Sequence, residues 1–247
     1  MAIKPKTVLI AATAMALGVG AAVLAGGRSA ADRGPVGLFT TLPILWSEDP
    51  DVGAILKAQA VPHWARKVLA ERGTVTAFDR LAAPGDAAPL GRTKRLILAQ
   101  PRPLGPDENV ALDNWVRGGG HLLLLADPAL TEESNFAIGD PRRPQAVVLL
   151  SPILKRWGLD LLFDETQPYG DRTIRVGAIA LPVNLSGHFA VRSGGTCSVE
   201  GEGLLATCRI GKGRVTALAD AAVLAQDDAD GSRAAAFSAL LDRAIND

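Results

Sequence analysis

Short apolar runs alternate with amphipathic stretches over most of the chain. Runs that are apolar on both faces are typical of strands in a parallel sheet, and they occur in VGLFT (36–40), TVTAFD (74–79), RLILAQ (95–100), HLLLLAD (121–127) and RVTALAD (214–220). Residues 63–73, 107–117 and 233–245 show helical spacing of apolar positions. This alternation predicts an α/β fold, a three-layer domain with a mostly parallel sheet between helices.

The middle of the chain has a different pattern. Residues 131–145 combine proline, glycine and mixed charges, which predicts a long exposed loop, and residues 151–159 predict a short helix ended by glycine. Short β segments such as IRVGAIAL and HFAVRS then follow. We expect a β-rich insertion or sheet extension at about residues 161–210.

The N-terminus predicts targeting to a membrane. Lys4 and Lys6 precede a stretch without charge that continues to Arg28, and about 20 apolar residues are just enough to span a bilayer. Residues 1–30 are therefore expected to be a transmembrane anchor or a signal helix, and residues 31–247 an exported domain. A retained anchor would give a single-pass inner-membrane protein with its C-terminal domain in the periplasm, whereas cleavage would give a soluble periplasmic protein. A buried core helix is the remaining interpretation.

The two cysteines flank a hairpin-like sequence, CSVEGEGLLATC. If residues 201–204 form a four-residue loop, Cys197 and Cys208 lie opposite each other with Cα atoms about 4.5 Å apart, within disulfide range. In an oxidising compartment they are expected to bridge. The alternative is a pair of small buried apolar side chains.

Composition narrows the classes of partner. The chain has 26 lysines and arginines and 26 aspartates and glutamates, so no overall basic field favours nucleic acid. No cluster of ligands accompanies the cysteines at metal-binding spacing, and we expect neither a metal nor another cofactor.

Glycine-rich segments are the next candidates for chemistry. Phosphate-binding loops follow a strand and open a helix, but Gly118, Gly119 and Gly120 follow a helix and open a strand. Glycine at that position ends a helix in a left-handed conformation. DDADGS (227–232) resembles a calcium loop only in part, and capping of the last helix by Asp230 or Ser232 explains it better.

Polar and aromatic residues gather after the predicted strands, at the carboxyl edge where open α/β sheets bind ligands. The candidate ligand-binding residues are Trp46, Glu48, Arg102, Asp127 and Asp220. In the alternative interpretation these groups only cap strand ends and pair with one another, for example Arg102 with Asp127. Arg142 and Arg143 are close enough in the chain to face the same cleft.

Catalytic groups are harder to find. No strand ends in a serine or cysteine on a tight turn with a histidine partner, so no residue is assigned as catalytic. Ser47 is the one hydroxyl at a promising strand end. His63, His121 and His188 are expected to be structural.

Three segments together resemble a known family: LFTTLPILWSE, LILAQPRPLGPDENVALDNWVRGGGHLLLLADP and IGKGRVTALAD. They are similar to the gliding-motility-type auxiliary components of bacterial ABC transport systems, whose exported domains have a class I glutamine-amidotransferase-like fold. The resemblance implies a membrane-tethered, non-catalytic periplasmic domain with transporter subunits as partners. It also implies that Asp127 and Pro128 stand near the place of the amidotransferase cysteine.

The expected function is therefore a membrane-anchored periplasmic accessory or ligand-binding domain, non-catalytic and associated with an ABC transporter. A hydrolase that uses Ser47, or an acidic pair such as Glu48 and Asp127, is one alternative. A structural scaffold of the envelope is the other.

Overall fold

A computed structural model describes residues 34–48, 62–82, 90–91 and 93–245. The predicted anchor or signal, residues 1–30, lies outside the described residues. In the part of the chain that is described, no helix combines the length and the apolar character needed to cross a bilayer. All described elements belong to the predicted C-terminal domain.

The described residues form a mixed α/β fold. Its strands are β1 (Val36–Thr40), β2 (Val75–Ala77), β3 (Arg95–Ala99), β4 (His121–Leu125), β5 (Leu159–Phe163), β6 (Arg172–Val176), β7 (Ile179–Val183), β8 (Gly187–Val191), β9 (Ser198–Glu200), β10 (Leu205–Ile210) and β11 (Gly213–Leu218). Its helices are α1 (Ala65–Ala70), α2 (Pro106–Arg117), α3 (Ser151–Arg156) and α4 (Ser232–Ile245), with a 3-10 helix at Ala222–Leu224.

A largely parallel sheet forms the centre of the fold. Its order is β2-β1-β3-β4-β11-β10-β9, and the first five strands of that order run parallel. β10 and β9 extend the sheet in antiparallel fashion. β3 and β4 are buried from their second residue to their last, because apolar side chains occupy both faces of these central strands. The parallel sheet that the apolar runs predicted is confirmed.

The helices pack against the sheet and against each other in two groups. α4 contacts α1 and also β4 and β11, whereas α2 contacts β11 and α3. The apolar face of α4 includes Phe237, Leu240 and Leu241, which are fully buried in the core. The amphipathic spacing of residues 233–245 thus corresponds to a helix that covers the sheet.

The β-rich region between α3 and β11 contributes to three sheets. β5 pairs with β8, and β6 pairs with β7, in two separate two-stranded antiparallel sheets. β9 and β10 instead join the edge of the main sheet. The region therefore contains both an insertion, residues 159–191, and an extension of the sheet.

A disulfide ties β9 to β10. The loop between these strands covers residues 201–204, and the register pairs Ser198 with Thr207, so Cys197 lies opposite Cys208. The two cysteines are bonded, with Cα atoms 4.2 Å apart. The Cys208 side chain is buried in the core.

The triple glycine forms the joint between α2 and β4 at the amino edge of the sheet. Gly119 has a φ of +110°, a conformation that ends the helix and that side chains other than glycine rarely adopt. A Cβ at Gly120 would lie 2.5 Å from the Trp115 ring, so close packing excludes a larger residue there. The structural interpretation of these glycines is confirmed, and it places them away from the carboxyl edge.

Candidate functional site

Gln100 stands at the point where the order of the parallel strands reverses. The sheet reverses between β1 and β3, and ligands in open α/β sheets bind outside the carboxyl ends at such a switch point. Gln100 follows β3 directly, is fully buried, and has a φ of +43°. The backbone carbonyl oxygen of Gln100 accepts a hydrogen bond of 2.5 Å from the hydroxyl of Thr41, the residue that follows β1. A left-handed non-glycine residue at this place is unusual and marks a backbone held by its surroundings.

The Gln100 side chain closes the switch point. Its Nε2 donates to the Asp127 carbonyl at 3.0 Å and to the Gln145 carbonyl at 2.7 Å. Its Oε1 accepts from the Asp127 backbone N–H at 2.9 Å. The Gln145 N–H donates to the Thr41 hydroxyl at 3.0 Å. The loop that follows β4 thus folds back over the ends of β1 and β3.

Asp127 and Asp220 occupy matching positions on neighbouring strands. β4 and β11 pair Leu125 with Leu218, and each aspartate follows its strand by two residues. Both side chains are fully buried. The sheet therefore brings these two predicted site residues side by side, as expected from their places at the carboxyl edge.

Backbone N–H groups satisfy both carboxyls. Asp127 accepts from Ala129 at 2.8 Å and from Ala221 at 3.2 Å. Asp220 accepts from Asn184 at 2.9 Å and from Ala222 at 2.5 Å. Each carboxyl oxygen of the pair therefore serves to hold a loop.

The acid pair favours protonated forms. Burial raises the pKa of Asp127 to about 6, although the bonds from Ala129 and Ala221 oppose this shift. Burial also raises the pKa of Asp220 well above its usual range, and the nearby charge of Asp127 raises it further. Two carboxyls with raised pKa values are a common arrangement for acid-base catalysis, but both of these are shut off from solvent.

Arg102 does not pair with Asp127, so the example of pairing expected from the sequence is wrong. Its guanidinium makes two hydrogen bonds of 2.8 Å to Glu108, six residues further along, and one of 2.7 Å to the Asp79 carbonyl. The local geometry explains the pairing with Glu108, because Glu108 lies in the first turn of α2, which begins four residues after Arg102. Arg102 also lies 5.0 Å from the centroid of the Phe39 ring.

Glu108 organises the start of α2. Its Oε2 accepts from the Gly105 N–H at 2.9 Å and its Oε1 from the Leu81 N–H at 3.1 Å. Burial raises the pKa of Glu108, but the bonds from Arg102, Gly105 and Leu81 outweigh burial and lower it to about 2. Arg102 and Glu108 together form a structural ion pair at the carboxyl edge.

Glu48 contacts the loop that follows β4, and Trp46 precedes Glu48 in the chain by two residues. The Glu48 carboxylate accepts from the Ser134 hydroxyl at 2.7 Å and from the Asn135 N–H at 2.9 Å. Trp46 is 41% exposed. Glu48 therefore anchors the loop, while Trp46 presents its ring to solvent.

Arg142 and Arg143 remain within that loop. Arg142 pairs with Asp140 at 2.7 Å and lies over the Phe136 ring at 4.2 Å, and Arg143 donates to the Phe136 carbonyl. The structure thus directs both guanidinium groups to partners in their own segment.

A cavity of about 240 Å³ lies next to the acid pair, beyond the end of β11. Its polar lining includes Glu132, Asp171, Asn184, Asp227 and Arg233. Leu42, Leu130 and Leu224 contribute apolar surface. Asp171, Asp227 and Arg233 also line an adjacent cavity of about 320 Å³. Neither lining includes any of the five residues that the sequence singled out.

Arg233 joins three segments at this cavity. It donates to the Asp227 carbonyl at 2.8 Å, to the Ala222 carbonyl, and to the Asp171 carboxylate. Asn184 donates to Asp171 at 3.2 Å from the end of β7. These residues were missed from the sequence, because Asn184 and Asp171 lie in the β-rich region and their approach to α4 depends on tertiary structure.

The start of α4 also differs from the sequence-based interpretation. Asp228 accepts from the N–H groups of Arg233 at 2.8 Å and Ala234 at 3.1 Å. Asp230 accepts from the Ser232 N–H at 2.9 Å. Both aspartates therefore bond the first turn of α4: Asp230 accepts from its first residue, and Asp228 accepts from its second and third.

The family model described as "Domain of unknown function (DUF4350)" matches residues 62–241 of this chain. The chain belongs to the DUF4350 family. The matched part of this DUF4350 member runs from just before α1 into α4 and includes the acid pair and every residue that lines the 240 Å³ cavity except Leu42. None of the curated proteins matches the chain.

Several solved structures are similar to this DUF4350 member at low identity. The exo-β-1,4-mannosidase Op5Man5 from Opitutaceae bacterium strain TAV5 has a TM-score of 0.48 and 14% identity, with 84% of this chain and 35% of that chain covered. A putative ThuA-like protein from Bacteroides uniformis has a TM-score of 0.48 and 10% identity, with coverage of 89% and 96%. Cytoplasmic protein STM3548 from Salmonella typhimurium has a TM-score of 0.45 and 11% identity, with coverage of 73% and 86%. The chain thus spans about a third of the mannosidase's length.

Proposed function

We propose that this protein is a non-catalytic accessory domain of the bacterial envelope. Residues 1–30 hold it at the inner membrane, the α/β domain faces the periplasm, and subunits of an ABC transporter are its partners. The proposal keeps the function implied by the resemblance to gliding-motility-type auxiliary components. Cleavage of residues 1–30, which would leave a soluble periplasmic protein, is the alternative for its location.

The observation that carries the non-catalytic assignment is Gln100. In α/β hydrolases and related enzymes, a strained residue directly after a strand is where the nucleophile is presented. The strained residue after β3 is a glutamine, and an amide is not a nucleophile. Both ends of that amide are engaged in internal hydrogen bonds. This favours a fold in which the end of β3 presents no nucleophile and serves as a structural joint.

The helix arrangement supports a three-layer, amidotransferase-like fold. The β1–α1–β2 and β3–α2–β4 crossovers run in opposite directions along the sheet. Since such crossovers are right-handed, α1 and α2 belong on opposite faces. α4 packs with α1 and α3 with α2, so two of the described helices belong to each face.

The disulfide supports the periplasmic location. Structural disulfides form and persist in oxidising compartments such as the bacterial periplasm and are rare in the cytosol. The Cys197–Cys208 bond closes a short hairpin whose register already brings the two residues together. An exported domain is the simplest setting for it.

The 240 Å³ cavity is the favoured site for a small ligand or a partner side chain. It has apolar walls and several polar groups of both signs, which is the usual composition of a binding site. Its lining includes Asn184, Ala221 and Ala222, whose N–H groups bond the acid pair, and does not include Trp46 or Arg102.

Protease accessibility tests the location directly. The full chain with a C-terminal tag is produced in a Gram-negative host, and spheroplasts are treated with protease. We expect the tagged domain to sediment with inner membranes and to be degraded in intact spheroplasts. Recovery of protected protein in the cytosol would contradict export. Recovery in the osmotic-shock fraction would establish the cleaved form.

Co-purification tests the partner. Tagged chain is extracted in mild detergent from its native host at normal expression level, and a chain that carries an unrelated transmembrane segment in place of residues 1–30 serves as the control. An ATPase and a permease that co-purify with both chains would support a transporter role for the domain. Their absence from both would refute it.

A further inference from the structure

The acid pair holds the walls of the cavity. The four N–H groups that Asp127 and Asp220 accept belong to Ala129, Asn184, Ala221 and Ala222. Asn184, Ala221 and Ala222 line the 240 Å³ cavity, and Ala129 precedes its wall residue Leu130. Three separate loops, after β4, β7 and β11, are thus fastened to the same two carboxyls.

The protonation state of the pair affects this fastening. Two buried carboxylates on adjacent strands repel each other and are poorly solvated, so the folded state favours a form that keeps at least one proton. When a loop opens, water reaches the carboxyl beneath it, and its proton affinity returns towards that of an exposed aspartate. Opening therefore becomes easier as the pair loses protons.

Other charged and titratable groups near the cavity have interactions of their own. Arg172 on β6 favours the ionised form of Asp220, but burial and Asp127 act against it more strongly. Glu132 and Arg233 line the cavity and interact with each other. His63, next to α1, bonds the Leu224 carbonyl at 3.0 Å and has a pKa lowered by burial.

We propose that Asp127 and Asp220 form a proton-linked latch: with a proton in the pair the three loops are held against the cavity, and loss of that proton loosens them. The latch goes beyond the accessory function proposed above and does not depend on the identity of any partner. It gives an exported domain, whose surroundings follow the external pH, a means of coupling access to the cavity to pH.

Linkage gives the size of the effect. If opening returns Asp127 from a pKa of about 6 to its usual value of 3.8, the opening equilibrium rises about tenfold between pH 5 and pH 7. Asp220 adds to this rise and extends it to higher pH, because burial raises its pKa as well. The rise begins near pH 4, since below the usual value of 3.8 the aspartates are protonated in the open state as well as in the closed state.

Native-state hydrogen exchange of the full chain in mild detergent tests the latch. Exchange of the amides of Ala129, Asn184, Ala221 and Ala222 is followed from pH 4 to pH 8 and corrected for the intrinsic rate. We expect their protection to fall at least tenfold between pH 5 and pH 7, because Asp220 adds to the effect of Asp127. Leu123 and Leu124, in the centre of β4, serve as internal controls whose protection stays constant. Constant protection at all four latch amides would overturn the proposal.

Substitutions test whether the pH dependence of amide protection comes from the acid pair or from neighbouring charged groups. Asp127→Asn and Asp220→Asn should each reduce the pH dependence, and the double variant should remove most of it, because burial raises the pKa of either carboxyl that remains. Glu132→Gln and the distant Asp113→Asn should retain it. Retention of the full dependence in both acid-pair variants would overturn the proposal and point to Glu132, whose pKa burial also raises. If neither variant folds, the wild-type protein still decides the question. A fall in amide protection whose midpoint lies below pH 4.5 is incompatible with the latch.

Discussion

Gln100 shows how one residue can fix an edge of a sheet. Its left-handed backbone turns the chain away from β3, and its side-chain amide bonds the backbone of Asp127 and Gln145. In the sequence it is only the polar end of the apolar run RLILAQ. Nothing in that run predicts the positive φ, because the conformation is imposed by contacts with residues 27 and 45 positions away.

Replacing Gln100 by alanine tests this role. The substitution leaves the Asp127 N–H and the Gln145 carbonyl without their partners in a buried place. We expect the free energy of unfolding to fall by about 2–4 kcal/mol, since each unsatisfied buried group costs about 1–3 kcal/mol. Chemical denaturation followed by circular dichroism measures the change.

Gln145→Ala is the matched control. Gln145 takes part in the joint through its backbone N–H and carbonyl, which alanine retains. The expected change is within about 0.5 kcal/mol. Equal effects of the two substitutions would show that the Gln100 amide has no special structural role.

Glu108 gives a second prediction at the scale of single residues. Its folded-state pKa of about 2 lies below its usual value of 4.5, so its contribution to stability is complete above pH 4.5 and is lost as the pH falls towards 2. Glu108→Gln should lower the free energy of unfolding by about 2 kcal/mol at pH 7, because a charge-assisted pair with Arg102 is removed.

The difference between Glu108→Gln and the wild type should shrink as the pH is lowered from 5 towards 2. Unfolding free energies from denaturation at a series of pH values provide the test. Glu133→Gln, at an exposed position of the loop after β4, is the control and should have little effect at any pH. A difference that stays constant down to pH 2 would contradict the ion pair.

At the scale of elements, the sequence predicts the buried strands well and the small ones less well. β1, β3, β4 and β11 fall within the apolar runs, because strands apolar on both faces have a strong local signal. α1 and β2 are shorter than the segments predicted for them. The division of the β-rich region into three sheets depends on long-range pairing, which local patterns do not specify.

The candidate site could be predicted only in part. The edge of the sheet fixes the positions of Asp127 and Asp220, so their juxtaposition follows from strand order. Arg102 pairs with Glu108, because these residues are only six positions apart and can meet without long-range contacts. The cavity could not be predicted from the sequence, because Asn184 and Arg233 come from elements that are brought together only by the whole fold.

The β9–β10 hairpin supplies a prediction for a single element. The Cys197–Cys208 bond closes a loop with a sequence separation of 11 residues. In the chain-entropy model a loop of this length stabilises the fold by about 3 kcal/mol. The double variant Cys197→Ser, Cys208→Ser should lose about this much in urea denaturation.

Reduction gives the control for the hairpin. A reducing agent should destabilise the wild type and leave the double serine variant unchanged. If the reductant has the same effect on both proteins, or on neither, the disulfide does not contribute to stability as inferred here.

At the scale of the whole molecule, two sets of carboxyls act on stability in opposite senses. The raised pKa values of Asp127 and Asp220 make the folded state more stable as the pH falls from 8 to about 4, near the usual value of 3.8. The lowered pKa values of Glu108 and Asp113 make it less stable as the pH falls below about 4.5. The wild type should therefore be most stable in mildly acidic solution, a profile that thermal unfolding between pH 3 and pH 8 would show.

The carboxyl edge combines these features into one structure. The switch point is closed by Gln100 and the returning loop, and the ends of β4 and β11 are held by an acid pair beneath a cavity. Side chains that would serve catalysis in an open site here hold loops. An accessory role, in which the cavity or the surrounding loops meet a partner, is consistent with this use of the polar groups.

Carboxyl NMR titration of Asp127 and Asp220 tests this account most directly. Selective carbon-13 labelling of the aspartate carboxyls, with assignment through the asparagine variants, gives the titration of each group. We predict coupled titrations, with an apparent pKa of about 6 for Asp127 and a value well above the usual range for Asp220. Two independent titrations below pH 4.5 would show that the groups are solvated and would contradict the buried acid pair.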